Sequence, residues 1–155
     1  ASFIQRVSDE ENQVLYEVDT QNKRLMDRDK TLVLNQMLTS TYDLRNRTTT
    51  YPTMTGSAPK TKVGVKSGTS DWDGWVVGFN PGYTVAIWTG FDDNRFLEKT
   101  YYEEAKSIFK RTFDELYPKG DGPWYSPSDE IEERYVDPVS GKLSSQGSPY
   151  WYLKE

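Results

Sequence analysis

Lys66-Ser67-Gly68-Thr69-Ser70 is the most informative stretch of this chain, because it places a cation, hydroxyls and a glycine at the end of a predicted β-strand over 61–68. Side chains alternate between the two faces of a strand, so Ser67 and Thr69 share one face and Lys66 and Gly68 the other. Two hydroxyls on one face with an ammonium nearby form a receptor for a carboxylate. Gly68 has no Cβ, so another chain can lie close to the strand there.

The next two segments are predicted to be strands of the same sheet. The first covers 72–81 and ends at a Pro-Gly turn, and the second covers 83–92. Three consecutive strands joined by short turns are typical of an antiparallel meander. Trp88 and Phe91, in the third strand, are expected to pack in the core.

Helical patterns flank the meander, so the predicted fold class is α+β, an antiparallel sheet with packed helices. The first pattern covers 31–44 with Asp29 as its N-cap. The second covers 102–117, with an apolar face made of Ala105, Ile108, Phe109, Phe113 and Leu116.

The two ends of the chain differ in their patterns. Residues 3–8 and 12–18 alternate apolar and polar side chains, which predicts a hairpin, whereas 118–155 is rich in turn signals. We therefore divide the chain into a main part, 1–117, and a loop-rich extension, 118–155. The extension is expected to pack on the main part through Trp124, Tyr125, Tyr135, Tyr150 and Trp151.

Composition excludes several classes of function. The net charge of −5 and the lack of a Lys/Arg cluster argue against a nucleic-acid partner. The chain has no cysteine and no histidine, which excludes thiol catalysis, a Ser-His-Asp triad and the usual zinc sites. The aspartates around 71–73 and 92–93 lack the spacing of a calcium loop, so no metal site is predicted. No apolar run approaches the roughly 20 residues of a membrane span.

Three motifs in order carry a family resemblance: K-S-G-T-S at 66–70, D-x-W-x-V-G-F-x-P at 73–81 and Y-T-x-A-x-W-T-G-F-D-D at 83–93. Together they resemble the transpeptidase domain of class A penicillin-binding proteins, where a K-T/S-G-T strand lies beside the active-site serine. The hairpin and the first helix are also similar to elements of that family, so the resemblance covers 1–117. It implies the C-terminal portion of a penicillin-recognising serine transpeptidase (β-lactamase-like) fold that uses no cofactor.

The resemblance also implies roles for the motif residues. The Ser67 and Thr69 hydroxyls would bind the terminal carboxylate of a peptidoglycan stem peptide, or the ring carboxylate of a β-lactam, along a strand opened by Gly68. The Thr69 N–H would complete an oxyanion hole. Lys66 would keep the local potential positive and help to position a proton-shuttling serine. Lys66 and Thr69 are thus the expected catalytic residues.

The nucleophile that this family requires is not found. It lies in an S-x-x-K run, and a neighbouring loop supplies an S-x-N run; no S-x-N occurs here. Ser57-Ala58-Pro59-Lys60 lies too close to Lys66 and carries a proline, and Ser107-Ile108-Phe109-Lys110 follows the motif in mid-helix. We therefore expect the nucleophile on an N-terminal remainder of the domain, and the chain alone to be inactive.

Two classes of function remain open. The favoured one is part of a D-Ala-D-Ala transpeptidase at the extracytoplasmic face of the bacterial membrane, whose parent also carries a glycosyltransferase domain and a membrane anchor. The alternative is a non-catalytic β module that binds cell-wall glycan or a protein, which the 14% aromatic content would suit. The enzyme portion should expose a large apolar face where the remainder docks. The module should be stable alone.

Overall fold

The computed structural model describes residues 3–19, 24–46, 51–93 and 95–155, and it confirms the α+β class. Seven strands in these ranges form three antiparallel sheets, ordered β1-β2, β3-β4-β5 and β6-β7. The elements are β1 (Arg6–Ser8), β2 (Val14–Glu17), α1 (Arg28–Leu38), β3 (Gly64–Thr69), β4 (Asp73–Phe79), β5 (Thr84–Gly90), α2 (Lys99–Leu116), β6 (Ile131–Val136) and β7 (Ser148–Leu153).

The predicted meander is confirmed, but β3 begins three residues later than predicted and extends to Thr69. The reason lies at Val63, whose backbone pairs with a side chain instead of a strand. The Tyr42 hydroxyl donates to the Val63 carbonyl at 2.9 Å, and the Val63 N–H approaches the same hydroxyl at 3.4 Å. Thr61 and Val63, just before β3, are therefore buried without being part of the sheet.

Helix α2 covers one face of the central sheet. The core beneath it consists of Met54, Val63, Val65, Val76, Ala105, Phe109 and Phe113. Two glycines of β4 allow this close approach: a Cβ at Gly78 would lie 2.4 Å from the Phe109 ring, and one at Gly74 would lie 2.7 Å from the Tyr102 ring. The helix begins at Lys99, earlier than predicted, and Leu116 in its last turn is exposed, contrary to the predicted apolar face.

Helix α1 begins and ends earlier than predicted. Its N-cap is Asp27, not Asp29, because the Asp27 carboxylate accepts the Asp29 and Lys30 N–H groups, both at 3.0 Å. The α-helix ends at Leu38, and the chain continues as 3₁₀ turns over Thr39–Tyr42 and Leu44–Asn46. Threonine hydroxyls at 39 and 41 donate to carbonyls three residues back, which favours this tighter winding.

The C-terminal extension contains a hairpin, β6-β7, that the sequence pattern did not predict. Strand β7 packs against α1. Lys62, just before β3, lies between this extension and α1: its Nζ is 5.0 Å from the Trp124 ring centroid and 5.8 Å from that of Trp151, and it donates to Gln36 Oε1 at 2.8 Å. Burial at this junction lowers the pKa of Lys62.

The side chains predicted to anchor the extension behave differently from one another. Trp124, Tyr125, Tyr150 and Trp151 are half-buried, whereas Tyr135 is 49% exposed. The N-terminal hairpin is confirmed as β1-β2, and both of its strands are exposed along their whole length.

Candidate functional site

The two faces of the sheet separate the motif side chains. Ser67 pairs with Val76 and Thr69 pairs with Gly74, so both hydroxyls lie on the face that α2 covers. Gly68 pairs with Trp75, and Lys66 pairs with Val77. Both Gly68 and Lys66 therefore lie on the opposite face. The alternation expected from the sequence is therefore present, and it directs the Lys66 side chain away from the hydroxyls.

Ser67 and Thr69 line an open cavity of about 360 Å³ at the end of β3. A loop over 51–55 forms one wall, and the first turns of α2 form another with Lys99, Glu103 and Lys106. The cavity thus combines hydroxyls from the strand with charged groups from the helix.

The outer edge of β3 carries backbone groups that face away from the sheet. The Ser70 N–H donates to the Asp73 carbonyl at 2.9 Å, which makes this the hydrogen-bonded pair next to the turn. Pairs alternate along an antiparallel ladder, so the N–H and C=O groups of Thr69 and Ser67 point toward the outer edge. Consistent with this, the Ser67 carbonyl accepts a hydrogen bond from the Lys66 ammonium at 2.5 Å.

Gly68 leaves the opposite face of β3 open. A Cβ at this position would meet only the Trp75 Cβ, at 3.7 Å, which is an ordinary van der Waals distance. The fold of the chain therefore does not require glycine here, in contrast to Gly74 and Gly78. Packing within the described residues therefore gives no reason for the missing side chain at this position.

The turn after the motif is held from two sides. The Ser70 hydroxyl accepts the backbone N–H groups of Trp72 and Asp73 at 3.2 and 3.0 Å, as expected of a turn residue. The Tyr102 hydroxyl on α2 donates to the Ser70 carbonyl. Helix α2 thus fixes the end of β3 directly, which positions Thr69 relative to the cavity.

A pair of tryptophans lies on the open face of the sheet. The rings of Trp75 and Trp88 are 6.5 Å apart, and the Trp88 indole N–H donates to Asp73 Oδ1 at 2.8 Å. Trp88 is 43% exposed and Trp75 is 46% exposed, so the prediction of a core position for Trp88 is wrong. It lies on the face that α2 does not cover. Phe91 is half-buried against Tyr101.

The two S-x-x-K matches do not come together with the motif. Neither Ser57 nor Ser107 lines the cavity. Their lysines have other partners: Lys60 Nζ donates to the Pro118 carbonyl at 3.3 Å, and Lys110 Nζ donates to Asp114.

Over the ranges that the structure describes, no three His, Cys, Asp or Glu side chains are grouped so that they could hold a metal ion. Within the same ranges, no helix combines the length and the apolar character needed to cross a membrane.

Sequence reasoning missed the helical side of the cavity. Lys99, Glu103 and Lys106 are spaced so that they share one face of a helix, and this signal was available. It could not show which face of α2 meets β3, because that depends on the glycines of β4. The contribution of the 51–55 loop carries no signal in the sequence.

No family model matches the chain. Among curated proteins, it is 31% identical over 153 residues to penicillin-binding protein 2D of Bacillus subtilis, covering 94% of this chain and 22% of that protein. It is 23% identical over 158 residues to penicillin-binding protein 2a of Streptococcus pneumoniae, covering 94% of this chain and 21% of that protein. A third relative, penicillin-binding protein 1A of Pseudomonas aeruginosa, is 29% identical over 101 residues, 61% of this chain and 12% of that protein.

A crystal structure of penicillin-binding protein 1A from Haemophilus influenzae matches the fold with a TM-score of 0.63 at 18% identity, over 97% of this chain and 28% of that one. These similarities confirm the resemblance stated above. The chain spans only about a fifth of the length of penicillin-binding proteins 2D and 2a, which it matches over 22% and 21% of their length.

Proposed function

We infer that this chain, a homologue of the penicillin-binding proteins, forms the carboxylate-binding wall of a peptidoglycan D,D-transpeptidase active site. The observation that supports this most is the position of Ser67 and Thr69, which line one cavity from the same face of β3. The outward N–H of Thr69 supports its role as an oxyanion donor. Gly68 supports a substrate lying along the strand, because its face is open.

The reaction is acyl transfer. A serine on the N-terminal remainder of the domain attacks the carbonyl of the D-Ala-D-Ala peptide bond, the C–N bond breaks, and the terminal D-Ala leaves with a proton on its amine. An amino group of a neighbouring stem peptide then attacks the acyl ester, which forms the cross-link and restores the serine hydroxyl. A β-lactam stops at the acyl stage because its leaving amine stays tethered by the opened ring.

Each motif residue has a part in this scheme. The Ser67 and Thr69 hydroxyls donate to the terminal carboxylate. The Thr69 N–H and the N–H of the nucleophilic serine donate to the oxyanion; losing such a donor typically costs about 2.7–4 kcal/mol of transition-state stabilisation. The Lys66 ammonium, at the outer edge of β3 beside the Ser67 carbonyl, contributes positive potential and orients a proton-carrying serine of the remainder.

The similarity to penicillin-binding proteins supports a location outside the cytoplasmic membrane for this activity. The parent protein would then carry the membrane anchor and the glycosyltransferase domain that class A members have. The partners are the N-terminal remainder of the domain, the stem peptide and β-lactams, with no nucleic acid among them.

The test is labelling of the full-length protein with a fluorescent penicillin, with the adduct located by mass spectrometry. We expect the label on a serine outside this chain. Labelling should be lost in the double variant Ser67→Ala/Thr69→Val. A matched control is Thr84→Val, which removes the hydroxyl of an exposed residue at the start of β5 in the same sheet and should label normally. An adduct on Ser57 or Ser107 would contradict the proposal.

A second candidate is a binding module, and the exposed Trp75–Trp88 pair on the open sheet face favours it. It predicts no labelling of the full-length protein, together with glycan binding that Trp75→Ala and Trp88→Ala each abolish.

A further inference from the structure

We propose that Lys106 of α2 is the cation that binds the substrate carboxylate together with Ser67 and Thr69. The inference rests on the proposed function and names a residue outside the K-S-G-T motif. The motif lysine cannot serve this purpose in the observed geometry: Lys66 lies on the opposite face of β3, and its ammonium contacts the Ser67 carbonyl.

The helix brings a substitute cation to the hydroxyl face. Lys99, Glu103 and Lys106 follow a spacing of four and three residues, so they lie along one side of α2, and all three line the cavity. Two ammoniums and one carboxylate leave this cavity with a net charge of +1. The chain as a whole carries −5, so the positive site stands out from its surroundings.

The state of Lys106 fits a binding role. Only 15% of its side chain is exposed, and its Nζ lies 2.9 Å from Glu103 Oε1. Glu103 is 53% exposed, so solvent already satisfies much of its charge. A ligand carboxylate that enters the cavity can replace Glu103 as the partner of Lys106. The Glu103 carboxylate would then be solvated by water at little cost in free energy.

Lys99 also favours a negatively charged ligand in this cavity. It is the first residue of α2, where the positive end of the helix dipole disfavours a cation, and its side chain lines the cavity. A ligand carboxylate between the helix start and the strand hydroxyls would offset that repulsion.

The experiment compares acylation of the full-length protein by benzylpenicillin and by its methyl ester, which lacks the carboxylate charge. The wild type should prefer the acid. Lys106→Met should lower the second-order rate constant for the acid about 10- to 100-fold, the range of one charge-assisted hydrogen bond, and leave the ester unchanged. Lys106→Arg should restore most of the acid rate, and added salt should slow the acid reaction of the wild type only.

Lys110→Met is the matched control, because Lys110 also pairs with an acidic residue on α2 but lies outside the cavity; it should change neither rate. Equal loss of acid and ester rates in Lys106→Met would overturn the inference, as would no loss. If Ser67→Ala/Thr69→Val abolishes the preference for the acid while Lys106→Met keeps it, the inference fails and the proposed function stands. If the wild type reacts with neither compound, the inference about Lys106 and the proposed function are both contradicted.

Discussion

The ring of Phe109 occupies the space that a side chain at Gly78 would need, with the ideal Cβ position only 2.4 Å from its Cζ atom. Phe109 is fully buried, and the Gly64 carbonyl lies 2.9 Å from the same Cβ position, so neither neighbour can give way easily. Gly78→Ala should therefore destabilise the domain by about 1–3 kcal/mol through overpacking. A lowered thermal transition of the full-length protein checks this; an unchanged transition would mean that α2 can move off the sheet freely.

Gly68→Ala should leave the stability unchanged and slow the reaction with penicillin. Its Cβ would be accommodated at 3.7 Å from the Trp75 Cβ, so the free energy of unfolding should stay within about 0.5 kcal/mol of the wild-type value. The added methyl group stands on the strand where the substrate is proposed to lie, so penicillin acylation should slow about tenfold or more, the effect of a small misplacement at a reacting centre. Unchanged acylation would remove Gly68 from the substrate-binding surface.

Tyr42→Phe should lower the stability of the fold, because the Tyr42 hydroxyl is bonded to the backbone of the residue just before β3. The hydroxyl serves the backbone of Val63, which is fully buried, so its loss leaves buried polar groups unsatisfied at a cost of about 1–3 kcal/mol. Burial also raises the pKa of Tyr42, so its contribution is complete below pH 10, the ordinary value, and is lost as the pH rises through the raised folded value. The difference in stability between wild type and variant, measured from pH 7 to 11, should shrink only at the alkaline end.

Asp114→Asn should destabilise the domain at neutral pH and have little effect in acid. The Asp114 carboxylate accepts the Lys60 N–H at 2.7 Å and pairs with Lys110. Burial acts to raise its pKa, but the hydrogen bonds from Lys110 and Lys60 outweigh burial and hold the pKa below its usual value. Its stabilisation is therefore present above pH 4 and lost as the pH falls through the lowered folded value.

We expect a difference of about 1–2 kcal/mol at pH 7, typical of a charged hydrogen bond, that narrows below pH 4. Unfolding followed by tryptophan fluorescence measures it. Asp129→Asn, on the exposed turn before β6, is the control and should show no such difference. A difference for Asp114→Asn that persists unchanged at pH 2 would contradict an electrostatic origin.

The meander and the motif strand could be predicted because turn signals and alternation coincide there. The hairpin β6-β7 could not. Its β6 strand buries only its two end residues, Ile131 and Val136, so no alternating pattern marks it, and Pro149 stands inside β7, where proline ordinarily argues against a strand. Pairing with β6 and packing against α1 override both signals.

The candidate site divides in the same way. The hydroxyls of Ser67 and Thr69 share a face by strand geometry alone, so their partnership was predictable. Lys106 was not, because its position over β3 follows from helix packing on Gly74 and Gly78, which is a tertiary relation between distant segments. The exposed position of Trp88 has the same origin, since only one face of the sheet receives a helix.

The outward backbone of β3 also bears on how the chain behaves in solution. A sheet edge with free donors and acceptors is a template for any extended strand, including the same edge of a second copy. Lys66 counters this: its ammonium rests on the Ser67 carbonyl and places a charge on the edge, so two copies that approach in register repel each other. Neutralising Lys66 is therefore expected to favour edge-to-edge pairing of two copies through β3, which would appear as a larger species in size-exclusion chromatography.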